Sequence, residues 1–353
     1  SKIESAIQNV RATLQNACGD IEAEWEPKAE AKLRAEIERV SDLIIAPLSK
    51  HLGDKSVWLV SPDGALWLVP WEMLVLKGKY VVEEHTVTYL VSGRHLLASP
   101  HHREPGAPVV VADPDFDALV EQRKDVGRVE AGIATTRHGT ETMDWPKLRE
   151  VKWSRLPGTR EEARRVVPAL SRYAKGQEVV ALLGEDAQER DFKHRVKRPC
   201  VLAMSTHGFF LPSAPRTEQV SPDDTSGKRR GIGGVVAAKP KPETEVKSRL
   251  DKILANNPLL QCGLVLAGAN RRDSTAEEDG ILTGLEAASL DLAGTKLVIL
   301  SACDTGIGEV HVGDGVSSLR QAFLIAGADD VVASLWRVPD KETADLASSF
   351  VDH

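Results

Sequence analysis

The sequence predicts an α/β fold: a mostly parallel central sheet flanked by helices, preceded by a helical segment and small β elements. Three observations predict it. Short apolar runs recur from Ala107 onward, each bounded by glycine, proline or polar residues. Segments of helical period lie between them, and strands that alternate with helices imply parallel pairing through right-handed crossovers. Two of the runs also stop at one reactive side chain with glycine close behind. Val201 to Phe210 carries His207, and Lys296 to Gly306 carries Cys303. A buried strand that delivers such a residue to its carboxyl end is how open α/β sheets build active sites.

Taken in order, residues 1–50 are helical in pattern. Leu33, Ile37, Val40 and Ile44 form one apolar stripe on a charged helix, with Pro27 at its start and Pro47 as its stop. The stripe packs on the domain behind it, or belongs to the last helix of an upstream repeat array. From Ser56 the pattern turns to short strands. Ser56 to Trp71 reads as two strands around the turn Pro62-Asp63-Gly64, and Thr86 to Val91 as a further strand. Ala107 to Ala112 is a buried strand that enters a loop at Asp113-Pro114-Asp115.

The stretch from about 118 to 150 is polar and reads as an insertion. A helix follows from Leu156 to about Tyr173, with Thr159 and Glu162 spaced as a capping box. Then come a strand near Val179, a helix over Ala187–Arg195 and the His207 strand. Residues 213–248, with the basic knot Lys228-Arg229-Arg230, are too polar for a core element and read as an exposed loop, with a regulatory or cleavable loop beside the site as the sharper alternative. Asn257 to Asn270 is a strand between turns, and Asp279 to Ala288 a short turn leading into a helix. The Cys303 strand, a helix from Val316 to Ala326 and a strand from Asp330 to Leu335 complete the pattern.

Composition excludes several classes. The chain of 353 residues is 42% hydrophobic, enough for one large or two modest domains. A net charge of −7 gives no nucleic-acid signature. No apolar run is long enough to span a bilayer. Cys18, Cys200, Cys262 and Cys303 form no paired motif, which argues against a disulfide framework or a zinc knuckle and suits a reducing cytoplasm. No metal or cofactor motif is present. Cys200 and Cys262 read as packing residues in strand cores. A start at Ser1 and an end at His353 within a helical pattern read as a processed chain or a piece of a longer one.

The chemistry points to a thiol and its base. A thiol attacks a carbonyl as the thiolate, so it needs a nearby base, and His207 is the natural one. Attack builds charge on the carbonyl oxygen, which backbone N–H groups can hold. The amides of Gly208 and Cys303 are the expected oxyanion hole. A backbone carbonyl or a distant carboxylate would orient the imidazole. A lone Cys at a strand end is commonly inert; the order His then Cys on consecutive βα units is what favours a site.

These residues resemble a known family. Pro62 to Glu72, Asp113-Pro-Asp-Phe, Leu156-Pro-Gly-Thr-Arg-Glu-Glu-Ala, Thr206-His-Gly-Phe-Phe, Asn257 to Asn270, Asp279-Gly-Ile-Leu-Thr, Leu300-Ser-Ala-Cys-Asp-Thr-Gly-Ile-Gly and Val331 to Trp336 occur in order. From about Ser56 onward the chain is similar to a CHAT domain, the caspase-like (clan CD) cysteine peptidase domain often found with TPR repeats. The resemblance implies a caspase-like three-layer sandwich over 51–353 and a catalytic His207–Cys303 dyad with Gly208 beside the oxyanion. It implies a protein or peptide substrate, with an upstream TPR or sensor region, or a partner chain, in control. Related domains act in bacterial defence.

Two departures stand out. The further strand that such domains carry after the last helix is missing here, so the sheet is expected to be incomplete or completed by another chain. The insertion at 213–248 is longer and more basic than usual. Separases share the Leu-Trp-x-Val-x-Asp run of Leu335 to Asp340, but their acidic P1-binding residue aligns with Ala344. Asp113, Asp115 and Asp340 are the remaining S1 candidates for a basic P1, and an uncharged P1 stays open. A P1 Asp is least favoured, because no arginine cluster is visible at these loops. The competing readings are a quiet scaffold on the same fold and a thiol hydrolase acting on a small molecule.

Overall fold

A computed structural model describes residues 2–52, 55–90, 104–119, 148, 151–174, 176–211, 257–271, 278–302, 309–311, 315–317, 319–334 and 340–352. Two long helices open the chain, α1 (Lys2–Glu24) and α2 (Glu26–Leu52). Ile37, Val40 and Ile44 on α2 are buried against Ile7, Val10 and Leu14 of α1, as the stripe predicts. Pro47 does not stop α2, which continues to Leu52. Its ring sits on the exposed side of the helix, where solvent can serve the carbonyl it frees.

A small β region packs on these helices and shares their core through Trp58, Val69, Trp71 and Leu74. It comprises β1 (Val57–Val60), β2 (Val75–Leu76), β3 (Lys79–Tyr80), the one-turn helix α3 (Val81–Glu84) and β4 (Thr86–Tyr89). The expected hairpin around Pro62-Asp63-Gly64 does not form. Gly64–Leu68 is a 3-10 turn, and β1 pairs in parallel with β4 instead. The Asp63 side chain accepts the Gly64 N–H, and Gly64 takes a φ of +54°, which starts a helical turn rather than a strand.

The central sheet has five parallel strands in the order β14-β11-β7-β5-β6. They are β5 (Val109–Pro114), β6 (Val180–Gly184), β7 (Val201–Ser205), β11 (Leu297–Ser301) and β14 (Asp330–Ala333). Alternation along each strand feeds two cores. Val109, Val111, Leu202, Met204, Val298 and Leu300 face one; Val110, Ala112, Ala203 and Ile299 face the other.

Helices α4 (Pro157–Leu170) and α8 (Asp340–Asp352) cover the second face. Side chains of α5 (Glu189–Arg195), α6 (Gly284–Ala288) and α7 (Leu319–Ile325) fill the first. The result is the predicted three-layer α/β arrangement.

A second, antiparallel sheet of β8 (Gly208–Phe210), β9 (Cys262–Val265) and β10 (Ile281–Thr283) branches from the carboxyl end of β7. Residues 279–283 thus hold a strand where the sequence reading had only a turn. The hairpin β12 (Glu309–His311) and β13 (Gly315–Ser317) takes the start of the helix expected from Val316, and α7 begins at Leu319. Arg320 at the start of α7 lies over the rings of Trp67 and Tyr89, at 5.3 and 5.4 Å, and ties this layer to the amino-terminal core. The insertions around 118–150 and 213–248 fall almost wholly outside the described residues. No helix among the described residues is long and apolar enough to cross a membrane.

Candidate active site

β7 and β11 are neighbours, in register from Val201 opposite Leu297 to Ser205 opposite Ser301. The two strands that lead to His207 and Cys303 therefore end side by side. Cys303 itself, with Gly306 and Gly308, lies outside the described residues. The described chain reaches Ala302, whose carbonyl accepts the Ser334 hydroxyl at 2.5 Å.

His207 sits where the parallel sheet hands over to the antiparallel one. Thr206 before it is buried, and its hydroxyl donates to Val265 O at 2.5 Å. The imidazole lies between Phe116 and Trp153, with ring centroids 5.4 and 5.2 Å away. Its Nε2 is 2.8 Å from the carbonyl oxygen of Ser154. A carbonyl only accepts, so Nε2 carries the proton, and in the neutral ring Nδ1 holds the lone pair. Among the described residues, a backbone carbonyl is the orienting group at the ring.

Asn270 builds the wall behind Trp153. It accepts the Trp153 N–H at 2.8 Å and donates to Trp153 O at 2.9 Å and to Asp117 at 3.2 Å. Its own backbone N–H donates to Phe116 O at 2.9 Å. Phe116 and Asn270 end two of the segments quoted above, yet nothing in spacing alone joins them to His207.

Strand parity orients Gly208. Val265 N–H donates to His207 O at 2.9 Å, and Leu211 N–H donates to Gln261 O at 2.6 Å. Bonded and non-bonded pairs alternate along an antiparallel ladder. Gly208 opposite Leu264 is therefore a non-bonded position, and its N–H points away from β9. Gly263 permits this crossing, since a Cβ there would meet the Phe209 ring at 2.8 Å.

The acidic candidates diverge. Asp113 ends the apolar part of β5 at a φ of +49° and is buried. Its carboxylate takes Arg155 at 2.8 Å and Arg160 at 3.7 Å. Two arginines thus converge on Asp113, which engages both. They were not visible as a cluster because the pairing depends on β5 meeting the start of α4. Asp115 accepts the Asp117 N–H at 3.0 Å. Asp340 is the first residue of α8.

Thr159 and Glu162 do not form a capping box. The helix starts at Pro157 with Leu156 as its cap. Thr159 donates to Leu156 O and accepts the Asp113 N–H, while Glu162 turns inward to Ser205 and Ser301. A capping box does occur at Thr283 and Glu286, at the start of α6.

Cys262 is buried in β9, as expected of a packing residue; Cys200 is half-buried just ahead of β7, with its Sγ 3.7 Å from Tyr173 O. Glu189, Glu278 and Glu286 gather closely enough to suggest a cation site. The Lys193 ammonium occupies their centre, at 2.7, 2.8 and 2.9 Å from the three.

The α/β sheet thus ends one strand at an oriented imidazole and aligns the neighbouring strand with it. A family profile identifies it further: the CHAT domain profile matches residues 34–353, starting within α2. The chain belongs to the CHAT-domain family, a caspase-like peptidase family whose substrates are peptides. No curated protein matches the chain.

Proposed function

We propose that the protein is a cysteine endopeptidase acting through His207 and Cys303 on a specific protein partner. The observation that carries this reading is the hydrogen bond from His207 Nε2–H to Ser154 O. It fixes the tautomer and leaves Nδ1 free to act as the base.

In this reading Nδ1 takes the Cys303 thiol proton as Sγ attacks the scissile carbonyl carbon. The oxyanion is held by the N–H groups of Gly208 and Cys303. The imidazolium returns its proton to the leaving amine, and the thioester is hydrolysed by water that His207 activates. Phe116 and Trp153 pack beside the ring and limit its turning.

Asp113 is already engaged by Arg155 and Arg160. Asp115 and Asp340 are then the acidic candidates for a basic P1, in a cytoplasmic enzyme without metal or cofactor. Control by an upstream TPR or sensor region, in a defence role, extends the family likeness.

A peptide-library cleavage assay tests the reading. Wild-type cleavage that disappears in Cys303→Ala and in His207→Ala supports it and reveals the P1 residue. Cleavage that survives Cys303→Ala overturns it.

A further inference from the structure

Along β7 the side chains alternate, so Ser205 falls on the same face as Ala203 and looks toward α4. Along β11, Ser301 follows Ile299 onto that face in the same way. The two serines are register partners across parallel strands, and both are buried.

Glu162 on α4 faces them at 2% exposure. Its Oε1 accepts the Ser205 hydroxyl at 2.6 Å, and its Oε2 accepts the Ser301 hydroxyl at 2.8 Å. Each carboxylate oxygen thus holds one strand. Burying a carboxylate is expensive, and an apolar trio at these positions would close the same face without that penalty. A polar fork retained at such a place calls for a reason beyond packing.

Position supplies one. His207 lies two residues after Ser205, and Cys303 two residues after Ser301. The same helix holds the end of β5, where the Asp113 N–H donates to Thr159 Oγ1 at 3.0 Å. The helix begins just after Ser154, the residue whose carbonyl orients the imidazole. One helix therefore bonds to the ends of three adjacent strands, β5, β7 and β11.

We propose that Glu162 is a positioning residue: by gripping Ser205 and Ser301 with its two oxygens, it fixes the lateral spacing of β7 and β11, and so the approach of the Cys303 thiol to His207. This rests on the His207–Cys303 reading of the site. Reacting groups must lie about 3–3.5 Å apart, and a misplacement of about 1 Å lowers rate by roughly 100-fold. Spacing at the strand ends is then felt directly in turnover.

Glu162→Gln is the sharp variant. It keeps the shape and one acceptor oxygen, but sets an NH2 where one serine had its acceptor; that serine must turn its hydroxyl round to accept, and both bonds lose the charge of the carboxylate. Ser205→Ala combined with Ser301→Ala removes both donors and carries the same prediction if Glu162→Gln does not fold. The full chain is assayed for kcat and KM on the peptide that the wild type cleaves. The rate of iodoacetamide alkylation at Cys303 is followed by peptide mass, and thermal unfolding by circular dichroism.

The expected result is a fall in kcat of about 10- to 100-fold, with KM unchanged, Cys303 alkylation slowed in parallel and cooperative unfolding retained. Wild-type kcat and alkylation rate in the folded variant overturn the proposal. So does a change confined to KM or to the unfolding temperature. Cleavage that persists in Cys303→Ala refutes the peptidase reading instead, and the alkylation arm still reports whether Glu162 sets the surroundings of the thiol.

Discussion

On one face of the central sheet, Leu202, Met204, Val298 and Leu300 meet Phe192 and Phe323. On the other, Ala112, Ala203 and Ile299 meet Ala163, Val166 and Ala169 of α4. The first face is filled by large side chains and gains its stability from area removed from water. The second is lined largely by alanine and valine, which lets α4 lie close to the strands. Closeness is what allows a short reach from Glu162 to Ser205 and Ser301. One face thus supplies stability, and the other sets distances where the chemistry is proposed to occur.

The contrast can be broken most severely at Phe323, which is fully buried on the first face. Phe323→Ala is expected to lower stability by about 3–5 kcal/mol, read from urea unfolding. If the protein survives it, the specific rate of the folded fraction should stay near that of the wild type. On the second face, Ala203→Val adds volume between β7 and α4. Overpacking there is expected to cost about 1–3 kcal/mol. Unlike Phe323→Ala, it should also reduce kcat, because it lifts α4 away from the two serines. Equal loss of turnover from both variants would erase the distinction between the faces.

The smallest effect at neutral pH comes from Cys262 in the first core. Burial pushes its thiol from 9.0 up to about 12. Over that interval the unfolded chain releases the proton while the folded chain keeps it. Stability present below pH 9.0 is therefore lost as the pH rises toward about 12. Urea midpoints across this window should fall less steeply in Cys262→Ala than in the wild type. At neutral pH the Cys262 thiol should ignore a thiol reagent until the protein unfolds.

Much of the central sheet was legible because β5, β7 and β11 are buried on both faces and read as near-continuous apolar runs. Ala65 to Val69 looks equally strand-like, but the Asp63 cap and the φ of Gly64 turn it into a 3-10 turn. Thr159 and Glu162 match a capping box in spacing, yet the register of α4 turns both toward strand ends. Local pattern cannot see which face a helix will bury. His207 was legible as the end of an apolar run. Ser154, 53 positions away, was not, since it is recruited through a backbone carbonyl that any residue offers. Trp153 and Asn270 lie 117 positions apart and meet only through tertiary packing.

The Glu162 fork also orders events in time. It joins Ser205 across 43 positions and Ser301 across 139. As the chain emerges from its amino end, helix and imidazole are both available long before β11 is made. Contacts of such long range close late. On the peptidase reading, the nucleophile is delivered long after the base, so a half-synthesised chain holds a base with nothing to activate and cannot cut the proteins folding around it.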